Sequence, residues 1–408
     1  MPFAWLVLAL VARSSGLGLN ITVGNGACST ADAHADVTIA GQWQPRAPYF
    51  SAADLAANVT PSPPYTQVSD EWLRTACAFR EPPHDCGTHS AEAALRSAAL
   101  AARRLEPVAG CTLGDALAAV RANETAAILA ALRRAKRLSF AGDSISRQHF
   151  IEVACSVIDE VTDVSLVWRG DAFSTCPSDT SYRSERIAWA SPRNGRRCQI
   201  ASASATLRSG ETLEYVGENP AGGLNRSDLG VHVINVGAHH STPAEHQRTV
   251  KRIITAIATA IREAHSAKRS APLVVWRETT PAHFMRLGPD DNGSWKRPER
   301  DDAEQARRCD GKSKYCCRPL DAATAARQNW RNRVANPLLR AAGVPVFATY
   351  DALVPQWDAH VNFPRRKDPF QIDCLHFCSP GVLSELWVGP FFLWLGQYLT
   401  LPDRPGRF

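Results

Sequence analysis

Four short apolar runs constrain the fold most: residues 138–141, 231–236, 273–276 and 344–348. Each is rich in β-branched or aromatic residues and stops at a Gly, a polar cluster or a turn, which is the pattern of a buried strand. Helical segments separate them. In residues 245–265, Val250, Ile253, Ile254, Ile257 and Ile261 fall on one face at helical spacing. Residues 126–136 read as an Ala/Leu/Arg helix leading into the first strand. Residues 322–342 read as another, expected to kink or break at Pro337. Strands alternating with helices imply an α/β fold: a mainly parallel central sheet with helices on both faces, binding ligands at the carboxyl ends of its strands.

At 408 residues the chain has room for one large domain or two smaller ones. With 45% hydrophobic and 21% charged residues it cannot be disordered, collagenous or coiled-coil as a whole. The net charge of +6 suits an anionic ligand. The longest basic run of note, Arg365-Arg366-Lys367, is too short for a nucleic-acid binder. Residues 1–17 contain a ten-residue apolar run, Phe3 to Ala12, followed by Ser14, Ser15 and Gly16. That length fits the core of a signal peptide and falls short of the ~20 residues of a membrane span, although an uncleaved anchor would tie the protein to a membrane. Residues 18–114 are rich in Pro, with Cys28, Cys77, Cys86 and Cys111, and read as a loop-rich region tied by disulfides. Residues 115–408 carry the strand–helix alternation.

The 12 cysteines do not fall into zinc-knuckle pairs, so no metal site is expected. Five sequons, at Asn20, Asn58, Asn123, Asn225 and Asn292, join them in indicating the secretory pathway: a Golgi-lumenal or secreted glycoprotein with disulfides.

Two segments carry chemistry. In Gly142-Asp143-Ser144 a strand runs into a serine at its carboxyl end, just where a helix can start. The helix N-terminus would offer N–H groups and a positive dipole end to a developing oxyanion. The same tripeptide can also serve simply as an N-cap. Near the C-terminus stands Asp373-Cys374-Leu375-His376-Phe377-Cys378. An Asp three residues before a His can share its face of a turn and orient the imidazole, leaving the other ring nitrogen as a base toward a serine. Taken alone this is also a polar turn between cysteines. Together the two segments point to a Ser-His-Asp triad.

These blocks resemble the trichome-birefringence-like family of polysaccharide O-acetyltransferases, which carry a PMR5N region before a PC-esterase domain and belong to the SGNH/GDSL superfamily. Gly41-Gln42-Trp43, Ile234-Asn235-Val236-Gly237-Ala238-His239-His240, Arg277-Glu278-Thr279-Thr280-Pro281-Ala282-His283-Phe284 and Trp357-Asp358-Ala359-His360 are similar to its further blocks, in its order. His240 departs from the family's usual Trp. The resemblance implies an SGNH-hydrolase-like three-layer sandwich. Ser144 would be the nucleophile, His376 the base and Asp373 its orienter. Ser144, Asn235 and Gly237 would form the oxyanion hole, and Asp143 would satisfy nearby backbone N–H groups. Arg147, His239, Arg277 and His283 would contact substrate, or else hold structure. The implied disulfides are Cys28–Cys111, Cys77–Cys155, Cys86–Cys378 and Cys309–Cys374. Proximity in sequence suggests Cys176–Cys198.

The implied activity is transfer of an acetyl group through an acyl-enzyme onto hydroxyls of a cell-wall or secreted polysaccharide or glycan. No tightly bound cofactor is implied. The acetyl donor, for instance acetyl-CoA, would be a co-substrate, although Gly-x-Gly-x-x-Gly is absent. Two alternatives differ in the second half of the reaction or in having none: a carbohydrate O-acetyl esterase with the same triad, and a non-catalytic glycan-binding protein.

Overall fold

The apolar runs pair into one nine-stranded sheet in the order β1-β13-β12-β11-β6-β10-β9-β7-β8. The computed structural model describes residues 124–169, 199–221, 223–224, 230–284, 317, 319–360, 373–378 and 382–399, with short strands at 37–38, 42–45, 59–60, 67–68, 103–106 and 180–183. The expected signal segment, the asparagines of all five sequons, and Cys28, Cys77, Cys86, Cys111, Cys176, Cys198, Cys309 and Cys316 lie outside these residues.

In chain order the strands are β1 (Val37–Thr38), β2 (Gln42–Pro45), β3 (Val59–Thr60), β4 (Gln67–Val68), β5 (Arg103–Glu106), β6 (Arg137–Gly142), β7 (Val161–Arg169), β8 (Thr180–Arg183), β9 (Gln199–Leu207), β10 (Thr212–Tyr215), β11 (Val231–Asn235), β12 (Leu273–Arg277) and β13 (Val346–Ala348). The helices are α1 (Glu124–Ala135), α2 (Ser144–Ser156), α3 (Pro243–Ser266), α4 (Ala322–Gln328), α5 (Trp330–Ala341), α6 (Tyr350–Leu353), α7 (Val382–Trp387) and α8 (Gly389–Tyr398). From β1 to β10 every neighbouring pair in the sheet is parallel. Beyond β10 the sheet turns antiparallel through β9, β7 and β8. The fold is therefore mixed α/β with a mostly parallel sheet, as expected, but with an antiparallel wing that the four apolar runs did not announce. The strand β1, from within residues 18–114, joins the main sheet beside β13. Strands β2 and β5 form a separate antiparallel pair, as do β3 and β4.

The parallel strands are buried on both faces, and successive side chains alternate between two cores that assign the helices to opposite faces. Val231 and Val233 of β11, Val275 of β12 and Phe347 of β13 join a core with residues of α1, α2, α7 and α8. Ile234, Val274, Trp276 and Val346 point the other way, into a core with Val250, Ile253 and Ile257 of α3 and Ala335 and Leu339 of α5. A period of two on strands and near 3.6 on helices produces such layers whenever both sheet faces are covered. In the first core His149 sits among Phe140, Phe347, Trp387 and Phe391. Its Nε2 lies 3.0 Å from the Trp387 carbonyl, and burial pushes its pKa well below 6.5.

The break expected at Pro337 falls elsewhere. The segment divides at Asn329, between α4 and α5, while Pro337 lies within α5. The Asn329 side chain accepts from Asn332 Nδ2 at 2.7 Å, across the first turn of α5. At its other end α3 begins two residues earlier than its apolar pattern, because Pro243 suits the first turn and Thr242 caps it, accepting from Glu245 N at 3.3 Å.

The end of β6 depends on a glycine. Gly142 has φ +131°, and a Cβ there would lie 1.6 Å from the Asn235 carbonyl oxygen of β11. No side chain fits that crossing. Gly142→Ala is expected to cost ~3 kcal/mol or more of stability, from a strained backbone together with a steric clash. Urea unfolding of the variant measures it; a loss under about 1 kcal/mol would contradict this geometry.

Candidate active site

Ser144 is the first residue of α2, directly beyond the carboxyl end of β6. Strand β6 lies between β10 and β11, where the chain leaves for one side of the sheet and later returns to the other. Parallel sheets open a crevice at such a point. Asp143 caps α2: its Oδ1 accepts from Ile145 N at 3.1 Å. Its Oδ2 accepts from Gly237 N at 3.3 Å and Ala238 N at 3.1 Å, in the loop after β11. One carboxylate thus ties the serine's helix to the neighbouring loop. The N-cap is supplied by Asp143, which leaves the Ser144 side chain free of that role.

From 232 residues away in sequence, His376 reaches the serine. Ser144 Oγ donates to His376 Nε2 at 2.6 Å. On the far side of the ring Nδ1–H donates to Asp373 Oδ2 at 2.8 Å. An ionised carboxylate only accepts, so it fixes this tautomer and leaves Nε2 as the acceptor. Asp373 also folds the turn, because its Oδ1 accepts from Leu375 N at 3.1 Å and His376 N at 3.0 Å. The imidazole edge stays partly exposed, at 16% of its side-chain surface, against 8% for Asp373.

The turn is strapped from several directions. His283 N donates to Cys374 O at 2.9 Å, and Cys378 N to Ala359 O at 2.9 Å. Gln148, one helical turn past Ser144, donates through Nε2 to Phe377 O at 2.8 Å. The imidazole of His360 meets His376 O at 3.0 Å. Cys374 is bonded to Cys317, not to the expected Cys309. The cause is local: Cys317 forms a β-bridge with Phe284, which brings its Cα to 5.2 Å from that of Cys374, within disulfide reach. Cys155 and Cys378 are disulfide-bonded as well, with partners outside the described residues.

The other expected site residues divide. Asn235 Nδ2 donates to Arg277 O at 2.8 Å and Thr279 Oγ1 at 3.3 Å, which uses both of its hydrogens. The Gly237 N–H is taken by Asp143. Neither is therefore a spare oxyanion donor in this arrangement, a correction to the expected role. Gly237 is needed instead for close approach, since a Cβ there would lie 2.3 Å from Thr279 Oγ1. Arg147, Arg277 and His283 are buried and do not present themselves to a substrate. Arg147 packs beside Tyr215, whose hydroxyl donates to Gly142 O at 2.9 Å. Arg277 lies 4.5 Å over the Trp387 ring and donates from Nη1 to Glu278 O at 2.8 Å. Of the four expected substrate contacts only His239 is exposed.

Behind His239 the half-buried His240 meets the buried His246, Nδ1 to Nδ1, at 2.7 Å. Arg331 donates to His240 O at 2.9 Å. Burial pulls Arg331 and Arg277 down to about 10, offset in part by the Asp143 carboxylate, so both stay charged at neutral pH. Sequence reasoning gave no role to Gln148, Asn332, Cys317 or His360. Only Gln148 had a signal of its own, the four-residue helical spacing from Ser144. Asn332 clasps the strand end by donating to Thr279 O and accepting from Thr279 N, both at 2.9 Å. Among the described residues no cluster of three or more His, Cys, Asp or Glu could hold a metal, and no helix is long and apolar enough to cross a membrane. No protein-family model matches the chain, and no curated protein matches it.

The Cys317–Cys374 bridge joins residues 57 apart. By the loop-closure relation its removal should cost about 4 kcal/mol. Non-reducing peptide mapping should recover the linked pair, and unfolding of a Cys317→Ala/Cys374→Ala variant should show the loss. A second outcome concerns acid. Burial lowers His246 from 6.5 to about 3, with repulsion from His240 and Arg331 adding to it. Between those values the unfolded chain binds a proton that the folded chain excludes, so stability rises with pH and falls on acidification. This group contributes a slope of about 1.4 kcal/mol per pH unit there. Unfolding at stepped pH should show a shallower acid slope in His246→Gln than in the unsubstituted protein.

Proposed function

We propose that this protein is a serine acyltransferase of SGNH-hydrolase type that moves acetyl groups onto hydroxyls of a polysaccharide or glycan in the secretory pathway. The observation that carries the reading is the hydrogen-bond chain Ser144–His376–Asp373 at the carboxyl edge of a mostly parallel sheet. The choice of acetyl and glycan rests on the ordered sequence blocks that resemble trichome-birefringence-like proteins. Helices on both sheet faces are compatible with a three-layer SGNH sandwich.

In the first half-reaction Ser144 Oγ attacks the carbonyl carbon of the acetyl donor. His376 Nε2 takes the serine proton, and the Asp373 carboxylate stabilises the imidazolium. The Ser144 N–H, at the start of α2 and with no acceptor among the described residues, faces the developing oxyanion with the helix dipole behind it. As the bond to the leaving group breaks, His376 returns the proton to it, leaving an acetyl ester on Ser144. A sugar hydroxyl then gives its proton to His376 and attacks the ester, and the proton passes back to Ser144 Oγ.

The test is a labelled acetyl donor incubated with and without glycan acceptor. We expect an acetyl adduct on the Ser144 peptide that is discharged by glycan. Ser144→Ala should lower kcat by about 10⁶-fold, and Asp373→Asn by about 10⁴-fold, because the latter disturbs only the orientation and charge stabilisation of His376. Glycan affinity should be nearly unchanged in both. Acetate as the sole product would make the protein an esterase, and substantial turnover by Ser144→Ala would rule out the covalent route.

A further inference from the structure

Two histidines outside the triad stand in line behind His376. His283 follows β12, and His360 follows the 3-10 turn Trp357–Ala359. Both are fully buried. The rings meet at 2.6 Å, His283 Nδ1 to His360 Nε2. Each outer nitrogen faces a backbone carbonyl: His283 Nε2 lies 2.8 Å from Val354 O, and His360 Nδ1 lies 3.0 Å from His376 O. A carbonyl only accepts, so each outer nitrogen must carry a proton. The close inner contact needs a third proton between the rings. Two neutral imidazoles own only two. The chain is complete when the pair is one imidazole and one imidazolium sharing a proton.

We propose that His283 and His360 are positioning residues that bind one extra proton between them and, through it, hold the backbone of His376 in place for reaction. The inference rests on the triad reading above. The charged and titratable groups around the pair oppose one another. Burial above all, then the repulsion between the two rings and that of His376, push His360 well below its ordinary 6.5, while the His376 carbonyl and the Asp373 carboxylate favour the charged form. That balance disfavours the extra proton, and it is the hydrogen-bond geometry of the two rings that requires it. The Phe377 ring covers His360 at 4.1 Å between centroids and keeps water from substituting for the partner ring. When the shared proton leaves, two lone pairs face each other at the inner contact. The rings must separate or turn, and His376 O loses its donor. The turn between Asp373 and Cys378 then loosens. The sign is opposite to that of His376 itself, which must be neutral to act as a base. Serine reactivity should therefore fall as pH rises past the point at which the pair loses its proton.

The test uses the full-length protein, with its histidine rings labelled with ¹⁵N, and a fluorophosphonate probe. In the probe reaction Ser144 Oγ bonds to phosphorus, fluoride leaves, and His376 takes the serine proton, so no acetyl donor or glycan is involved. We expect three protonated nitrogens among the four ring nitrogens of His283 and His360, one proton strongly downfield and shared. We also expect a labelling rate that falls as pH rises through that loss. His360→Phe should slow labelling by about tenfold or more at every pH, with the half-saturating probe concentration unchanged. In His360→Asn the amide nitrogen takes the place of Nδ1 and keeps a donor on His376 O without needing the extra proton. It should restore most of the rate and abolish the alkaline fall. Should His360→Phe fail to fold, the ring-nitrogen spectra and the His360→Asn profile still decide. One bare nitrogen on each ring across the folded pH range would overturn the proposal, as would an unchanged alkaline limb in His360→Asn. An unlabelled Ser144 in the unsubstituted protein, with the shared proton present, would overturn the triad reading and with it the positioning role, a result distinct from the other two.

Discussion

The site depends on the Asp143 carboxylate. It caps α2 with one oxygen and gathers two N–H groups of the loop after β11 with the other. A helix start and a loop from different strands thereby share one anchor. Buried backbone N–H groups need partners, and here one side chain satisfies three. Two glycines make the anchor possible. Gly142 allows β6 to cross β11 at a distance no side chain tolerates, and Gly237 lets the loop after β11 close onto Thr279. Two buried cations, Arg277 and Arg331, balance the Asp143 charge, which in turn favours their charged forms. Losing that carboxylate would free the serine's helix and orphan the loop together.

Much of the architecture was legible because it follows from periodicity. The runs at 138–141, 231–236 and 273–276 became β6, β11 and β12 with no end shifted by more than one residue. The last run shortened to Val346–Ala348 because Val344 and Pro345 precede the paired stretch. The antiparallel wing was not legible. In β9 small residues alternate (Ala201, Ser202, Ala203, Ser204, Ala205), and their weak apolar contrast hides a strand that long-range pairing with β7 and β10 stabilises. Pro337 shows the converse. A strong local signal for a break was overridden by tertiary packing of α5 against α3, with Ala335 and Leu339 fully buried.

At the site, the sequence pointed to Ser144, Asp373 and His376 but not to what supports them. Asp373 and His376 are three apart, so their mutual geometry is a local property and readable. Their meeting with Ser144 depends on the whole sheet. Arg147, Arg277 and His283 had two readings each in the sequence, and their burial fits the structural one, for a common reason. A polar side chain at the end of a parallel strand or in the first turns of the next helix can face the crevice or the core, and residue type alone does not decide which. Asn235 illustrates the point, since its amide closes the gap between β11 and the end of β12 rather than facing a ligand. The Cys317 bridge was hidden because Cys309, Cys316 and Cys317 compete for one partner, and only the β-bridge at Phe284 distinguishes them.

Ser144 and His376 are held by different means, and the difference has a physical basis. Ser144 rides on β6 and α2, elements fixed by ladder hydrogen bonds and a buried core. His376 sits on a turn with no ladder of its own beyond the isolated bridge between His360 and Phe377. A turn left to itself samples many conformations, and ordering each residue costs about 1–2 kcal/mol of backbone entropy. The tethers converge on it accordingly: the Asp373 carboxylate from within, Gln148 from the serine's own helix, the Cys317 bridge, and the backbone of His283 with the ring of His360 from behind. Gln148 is the most direct of these, because it ties the turn to the helix that carries Ser144, so a displacement of α2 would carry His376 along with Ser144. The 2.6 Å contact between Ser144 and His376 is thus kept by parts that move together rather than by the rigidity of the turn alone.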